Sequence, residues 1–452
     1  MDIAIIETSS LGDRSYLISA NGIGVVIDPQ RDIDRIEKLA SEKNATVTHV
    51  LETHIHNDYV TGGLELSRVA GAEYVVPEGD PLGYERRAVN DGDVVEAGPF
   101  SFQVLHTPGH THHHVSYVLR DDTGSPVAVF TGGSMLYGST GRTDLLGSDH
   151  TAELTHSQYH SVRRIADELP PETAVYPTHG FGSFCSATPT SGDASTIGEQ
   201  RATNPALTQD EQTYVDELIA GLSAYPAYYA HMGVINTKGP EPVDLTNPAP
   251  VNVQELRQRI DAGEWVVDLR TRTAFAAGHI DGSLGFELST SFVTYLGWLY
   301  EWGAPLTLIG ENADQINEAQ RELVRIGIDD LAGAAVGEIR TLVGDGTLRA
   351  YAVSDFAGLA AATSDRTVVV LDTRQSGEFR DGHIAGAVNI PLHELPHRLD
   401  EVPAGEVWVH CASGYRSSIG ASLLDRIDRN VVLVDDDYEN AASAGLPQTI
   451  TP

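Results

Sequence analysis

Over roughly the first 185 residues, short apolar runs alternate with Gly, Asp and His clusters, a spacing that predicts strands more often than helices. Gly24-Val25-Val26-Ile27 stops at the turn pair Asp28-Pro29 and predicts a strand. Residues 33–43 have the spacing of an amphipathic helix, and 45–51 that of a buried strand. Further strands are predicted near 102–105, 115–119, 127–130 and 174–176. Many strands with few interposed helices suggest a sheet sandwich covered by helices.

A Pro-rich stretch from Gly239 to Pro250 reads as a linker. Beyond it the pattern repeats. Val266-Val267-Asp268-Leu269-Arg270, Phe275 and Gly278-His279-Ile280 recur 104 positions later as Val370-Leu371-Asp372-Thr373-Arg374, Phe379 and Gly382-His383-Ile384. Strand-turn-helix patterning in both copies predicts two small α/β domains. The expected domains are therefore 1–245, 251–345 and 350–452 in an α/β multi-domain chain.

A length of 452 residues agrees with that count, because one core rarely serves so long a chain. No apolar run approaches the roughly 18 residues that span a bilayer, and the N-terminus lacks a basic flank and cleavage site. A cytoplasmic location is the expectation. The 64 acidic residues outnumber 29 basic ones, and the net charge of −35 argues against nucleic acid and anionic membranes as partners. Lysine occurs only at 38, 43 and 238. This balance resembles that of cytoplasmic proteins from salt-in halophiles. The composition is silent on oligomeric state, and a homo-oligomer is compatible with it. Two cysteines, Cys185 and Cys411, make no disulfide framework, so each is judged for reactivity.

Histidines cluster where strands are predicted to end. Thr53-His54-Ile55-His56-Asn57-Asp58-Tyr59 follows the first buried strand, His106-Thr107-Pro108-Gly109-His110 follows 102–105, and Tyr176-Pro177-Thr178-His179-Gly180 follows 174–176. Loops at one end of a sheet can bring such rings to one ion. The run His112-His113-His114 shows that histidine density alone is a weak signal.

These segments resemble the metallo-β-lactamase superfamily, in particular its glyoxalase II and persulfide dioxygenase branch. The resemblance covers about 1–240. It includes Val26-Ile27-Asp28, the His-x-His-x-Asp motif, His-Thr-Pro-Gly-His, Phe130-Thr131-Gly132, Gly141-Arg142-Thr143-Asp144-Leu145 and Thr203-Asn204-Pro205. It implies an N-terminal αββα sandwich. Two positions depart from the family pattern: Tyr59 stands where a second-metal His follows the motif Asp, and Gly133 where a carboxylate follows Phe-Thr-Gly. The implied site is one divalent metal, Fe(II) first and Zn(II) as the alternative, on His54, His56 and His110. Asp58, Asp144 and His179 are implied as outer residues that orient ligands or move protons. Cys185 has two readings, a small buried apolar residue or a persulfide carrier close to the metal.

In the last domain, Val407-Trp408-Val409-His410 runs into Cys411-Ala412-Ser413-Gly414-Tyr415-Arg416-Ser417, followed by a helix predicted over 417–425. A Cys between a strand and a helix N-terminus meets converging N–H groups and the positive end of the helix dipole, and Arg416 adds charge. That setting suits an anionic nucleophile. The loop and its upstream motifs resemble the rhodanese family over about 350–450, with the shorter sulfur-transfer spacing between Cys and Arg. The resemblance implies Cys411 as nucleophile, Arg416 as anion stabiliser, and the amides of Ala412, Ser413, Gly414, Tyr415 and Arg416 as the cradle. The first copy leads from Leu306-Thr307-Leu308-Ile309 into Gly310-Glu311-Asn312, without Cys or Arg, and reads as an inactive rhodanese-like spacer or docking surface. The expected function is sulfur metabolism: a persulfide dioxygenase-like metal domain coupled to a sulfurtransferase, acting on a low-molecular-weight thiol persulfide or thiosulfate. Two alternatives stand beside it, a metal-dependent thioester hydrolase and a sulfur carrier or sensor with a relic metal domain.

Overall fold

A computed structural model of the chain describes residues 1–190 and 192–450. The chain divides into two compact units, Met1–Asp244 with Val324–Gly327, and Leu245–Leu323 with Ile328–Pro452.

The first unit is built on two six-stranded sheets. One runs in the order Asp2–Thr8, Asp13–Ala20, Ile23–Ile27, Thr46–Leu51, Glu73–Pro77, Arg87–Val89. The other runs Ser195–Thr196, Ala174–Pro177, Pro126–Gly132, Val115–Arg120, Phe100–His106, Val94–Ala97. Alternation along each strand sends successive side chains to opposite faces. Tyr16, Ile18, Val25 and Ile27 meet Phe100, Phe102, Val104, Tyr117 and Phe130 in the core between the sheets. Leu17 and Val26 face the other way, onto helices Asp34–Glu42 and Gly63–Ala70. Leu105, Val118 and Val129 face helix Ser148–Glu168 and the short helices after it. The layers are therefore α, β, β, α, as expected. Inner strands such as Asp13–Ala20, Ile23–Ile27 and Val115–Arg120 are buried on both faces, whereas the edge strands Asp2–Thr8 and Val94–Ala97 keep exposed positions. The centre is aromatic: Tyr16 and Phe130 ring centroids lie 5.2 Å apart, and Phe130 and Tyr176 lie 5.3 Å apart. A buried ring of this size holds such a core by about 3–5 kcal/mol, judged by truncation to alanine.

The second unit contains a four-stranded sheet, Leu284–Gly285, Trp265–Asp268, Leu306–Gly310, Leu331–Val336, and a five-stranded one, Ala352–Ser354, Val431–Val434, Val407–His410, Val369–Asp372, Val388–Asn389. The pairings within both are parallel. The sequence repeat is a repeated side-chain clasp. Arg270 donates to Asp268 and to the Gly278 carbonyl; Arg374 donates to Asp372 and the Gly382 carbonyl, with matching 2.6 and 2.8 Å contacts. His279 stacks on Phe275 at 4.0 Å, as His383 does on Phe379 at 3.6 Å. The shared motif thus closes a strand-to-helix turn in each copy, which is a structural task. The Pro-rich stretch carries no helix or strand beyond an isolated bridge at Pro250. The helix after Cys411 spans Tyr415–Asp425, starting two residues earlier than expected because Gly414, at φ +90°, turns the chain directly into it.

Candidate functional site

Asp28 organises the first site. It ends strand Ile23–Ile27 in the left-handed region at φ +50°, fully buried. Its carboxylate accepts the Thr53 N–H and Thr53 hydroxyl, both at 2.7 Å, and the Thr178 hydroxyl. One side chain therefore ties together the ends of three strands, and the His loops emerge where they meet. Asn236 clamps the first loop from helix Tyr229–Lys238, donating to the carbonyls of His56 (2.9 Å) and Tyr59 (2.8 Å).

The rings sort by which nitrogen the protein uses. His54 Nδ1 lies 2.9 Å from Thr53 Oγ1, whose proton is already given to Asp28, so the ring donates there. His110 Nδ1 donates to the Arg142 carbonyl at 2.7 Å. His179 Nδ1 faces Asp13 at 2.9 Å and Asp58 at 3.1 Å. His56 is turned the other way: its Nε2 faces Tyr59 Oη at 3.0 Å and Asp28 and Glu52 at 3.3 Å each. A nitrogen from each of His54, His110 and His179 lies within 4.8 Å of the others, whereas His56 groups with Asp28 and Glu52, or with Asp58 and His179. Of the expected set, His54 and His110 come together, and His179 joins them where His56 was expected.

Burial lowers the basicity of His54 well below the usual range and brings His110 down to about 3. Burial opposes charge on His179 too, but Asp58 and Asp13 override it and push it up to about 10. Burial is likewise overcome at His56, which Asp28 and Glu52 raise to about 9. Asp13 is lifted to about 7 by burial and by its neighbour Asp58.

Asp144 acts through Arg142. It takes a two-pronged bond from the guanidinium, both contacts 2.7 Å. The guanidinium also donates to the Phe184 and Ser223 carbonyls. The backbone so fixed presents the carbonyl that receives His110 Nδ1–H. Cys185 is buried, and burial together with the Asp58 and Asp13 charges holds its thiol well above the usual range, in the protonated form. Gly133 has no room for a side chain: a Cβ there would lie 2.2 Å from His110 Cδ2. Sequence reasoning passed over Asp13, Glu52 and His114. His114 is buried, stacks on His54 at 4.9 Å, bonds Thr107 through Nδ1 and accepts the Gly133 N–H at Nε2. Its place inside a His run hid it.

The second site sits between strand Val407–His410 and helix Tyr415–Asp425. Cys411 is buried, with the Ser417 hydroxyl donating to Sγ at 3.4 Å. Among the described residues, the backbone N–H groups of Ala412 to Arg416 make no hydrogen bond. Free donors around a sulfur at a helix N-terminus form a site for an anion. Arg416 makes a two-pronged pair with Glu378 at 2.5 and 2.8 Å. Burial works against charge on Glu378, but Arg416 holds its carboxyl below the usual range.

The corresponding loop of the first copy is closed. Gln315 accepts the Glu311 N–H at 2.8 Å, and Asn312 accepts the Gln315 N–H at 3.0 Å. That copy is more than a spacer, because it touches the cysteine loop. Tyr415 donates to the Glu287 carbonyl at 2.9 Å, Tyr295 packs 5.8 Å from Tyr415, and Trp298 stacks on His393 at 4.9 Å. Arg272 bridges Glu287 (2.8 Å) and Asp435 (2.6 Å), and Asp435 lies so close to Gly414 that a Cβ there would come within 2.0 Å of it.

Comparison with known proteins follows the same division. Residues 13–179 match the metallo-beta-lactamase superfamily and 356–444 the rhodanese-like domain. The chain is 29% identical to the human mitochondrial persulfide dioxygenase ETHE1 over 244 residues, 54% of this chain and 82% of that protein. It is 31% identical to a hydroxyacylglutathione hydrolase of Pelagibacter ubique (strain HTCC1062) over 202 residues, 41% of this chain and 76% of that one. Among solved structures, a metallo-beta-lactamase from Staphylococcus aureus subsp. aureus COL aligns with TM-score 0.66 and 30% identity, over 75% of this chain and 99% of that one. Two sheets between helix layers, histidine loops at their strand ends and these similarities agree: the chain belongs to the metallo-beta-lactamase superfamily and carries a C-terminal rhodanese-like domain.

Proposed function

We propose that the chain is an enzyme of sulfur metabolism that carries sulfane sulfur on Cys411 and oxidises a low-molecular-weight persulfide at its histidine cluster. The observation that carries this reading is the ring of unused backbone N–H groups around Cys411, which no structural cysteine requires. The Cys411 thiolate attacks the outer sulfur of thiosulfate, the S–S bond breaks, and sulfite leaves with the bonding pair. The resulting persulfide anion is held by the amides of 412–416. An acceptor thiolate or cyanide then takes the outer sulfur and returns Cys411 to the thiolate.

Arg416 supplies charge to this loop while Glu378 fixes its plane. Arg416→Lys keeps the charge but loses the two-pronged bond. It is expected to lower kcat/KM for thiosulfate by about 10–100-fold, read in a thiosulfate:cyanide assay.

The histidine cluster suits a divalent ion, since His110 Nε2 is buried with no hydrogen-bond partner among the described residues. When bound, the ion supplies Lewis acidity and, if ferrous, redox chemistry toward O2. Around it, His179 with Asp13 and Asp58 can hold or pass a proton at Nδ1, and Arg142 holds His110 in place. Overall, a persulfide RSSH with O2 and water gives the thiol RSH and sulfurous acid. Similarity to the human persulfide dioxygenase supports this reading. A second reading, hydrolysis of thioesters, is favoured by the 31% identity to a hydroxyacylglutathione hydrolase.

Oxygen dependence separates the two. Protein loaded anaerobically with iron is given glutathione persulfide, in concentrated KCl because of the −35 charge. Oxygen uptake matched mole for mole by sulfite is the expected result. No uptake with iron verified in the protein, together with hydrolysis of a glutathione thioester, establishes the second reading instead.

A further inference from the structure

Three strand-end loops each contribute one ring whose Nδ1 is committed to a fixed oxygen acceptor. His54 uses Thr53 Oγ1, His110 the Arg142 carbonyl, and His179 the Asp13 and Asp58 carboxylates. A committed Nδ1–H fixes the ring and leaves Nε2 as the nitrogen presented to an ion, which displaces any proton there, the way histidine is prepared to ligate a metal. One nitrogen of each ring lies within 4.8 Å of the other two. His54 Nε2 and His179 Nε2 stand 3.3 Å apart. Two nitrogens bound at 2.0–2.1 Å to one tetrahedral ion stand about 3.3 Å apart. His110 Nε2 is buried with no hydrogen-bond partner among the described residues.

His56 is prepared the other way round. Its Nε2 is spent on Tyr59, Asp28 and Glu52, which hold the loop to the end of strand Ile23–Ile27. Its Nδ1 is buried without a hydrogen-bond partner among the described residues, but His56 does not group with His54 and His110. The competing group of His56, Asp58 and His179 is also compact, but Asp58 there already faces His179 Nδ1. His114 has both nitrogens engaged. Gly133 offers no side chain, and the space a Cβ would need is filled by His110.

The geometry points to a single metal ion held by Nε2 of His54, His110 and His179, with no carboxylate bound to it and His56 outside the coordination shell. This rests on reading the cluster as a metal centre. Negative charge then reaches the ion at one remove, through Asp13 and Asp58 on the far nitrogen of His179, which strengthens that ring as a donor. Three imidazoles make a borderline donor set that suits zinc, iron and their first-row neighbours over magnesium or calcium.

Crystals of the unmutated chain grown with Zn(II), with anomalous data collected at the zinc edge, locate the ion directly. The expected peak touches Nε2 of all three rings. A peak on His56 Nδ1, contact with an Asp58 oxygen, or no zinc in the cluster overturns the assignment. In solution, zinc per chain after dialysis is expected to stay near one in His56→Gln and to fall below about a tenth in His179→Gly, then to return when imidazole is added. Full zinc retention by a folded His179→Gly overturns it too. Zinc seated as described without oxygen uptake by the iron-loaded protein sinks the dioxygenase reading and leaves the ligand set standing.

Discussion

Cys411→Ser is expected to abolish sulfur transfer from thiosulfate to cyanide, by about a thousandfold or more, while leaving metal content and oxygen uptake unchanged. Serine keeps the size of the side chain, the Ser417 contact and the loop, so folding is preserved. What it removes is the sulfur atom that forms the S–S bond. The free amides of residues 412–416 stabilise an anion, and a neutral hydroxyl gives them nothing to act on. The measurement is thiocyanate formation, with oxygen uptake followed in parallel. Full transfer activity in the serine variant would remove Cys411 from the chemistry. The protonated, buried thiol of Cys185 would then be the remaining cysteine to explain it.

His110→Ala is expected to empty the metal centre, with bound metal falling to under about a tenth of an equivalent and oxygen uptake lost with it. His110 is the ring with least protein to hold it otherwise: Nδ1 rests on one carbonyl and Nε2 is buried with no partner among the described residues. Deleting it removes one donor and opens the space beside Gly133, whose Cβ position the ring now fills. Alanine leaves no unpaired charge behind, because burial already keeps this imidazole neutral, down to about 3. The variant should therefore fold, and its sulfur transfer at Cys411 should be that of the parent. Elemental analysis after dialysis reads the first effect, and thiocyanate formation the second. Unchanged metal content would remove His110 from the ligand set.

Both predictions rest on residues that the sequence brings forward for local reasons. Cys411 and Arg416 flank one short strand-to-helix turn, Cys411 directly after the strand and Arg416 in the first turn of the helix, and their chemistry depends on that local backbone. The strands, the sandwich and the 104-residue repeat were legible because periodicity is a local property, set by alternating faces and turn residues. The histidine loops were legible because each follows a strand.

What was not legible came from distance along the chain. Asp13 meets His179 across 166 residues, and Tyr415 meets the Glu287 carbonyl across 128. Nothing near Asp13 marks it, and the first copy, lacking Cys and Arg, gave no sign that Glu287, Tyr295 and Arg272 would border the cysteine loop. His114 was hidden by its exposed-looking neighbours, since only burial distinguishes it from them.

The sequence by itself determined the kinds of chemistry present: a thiol at a helix N-terminus and imidazoles at the ends of strands. The tertiary structure alone decided which nitrogen of each ring faces inward. A ring's tautomer follows from the acceptor at its other nitrogen, and those acceptors are an adjacent hydroxyl for His54, a carbonyl 32 residues away for His110 and an aspartate 166 residues away for His179.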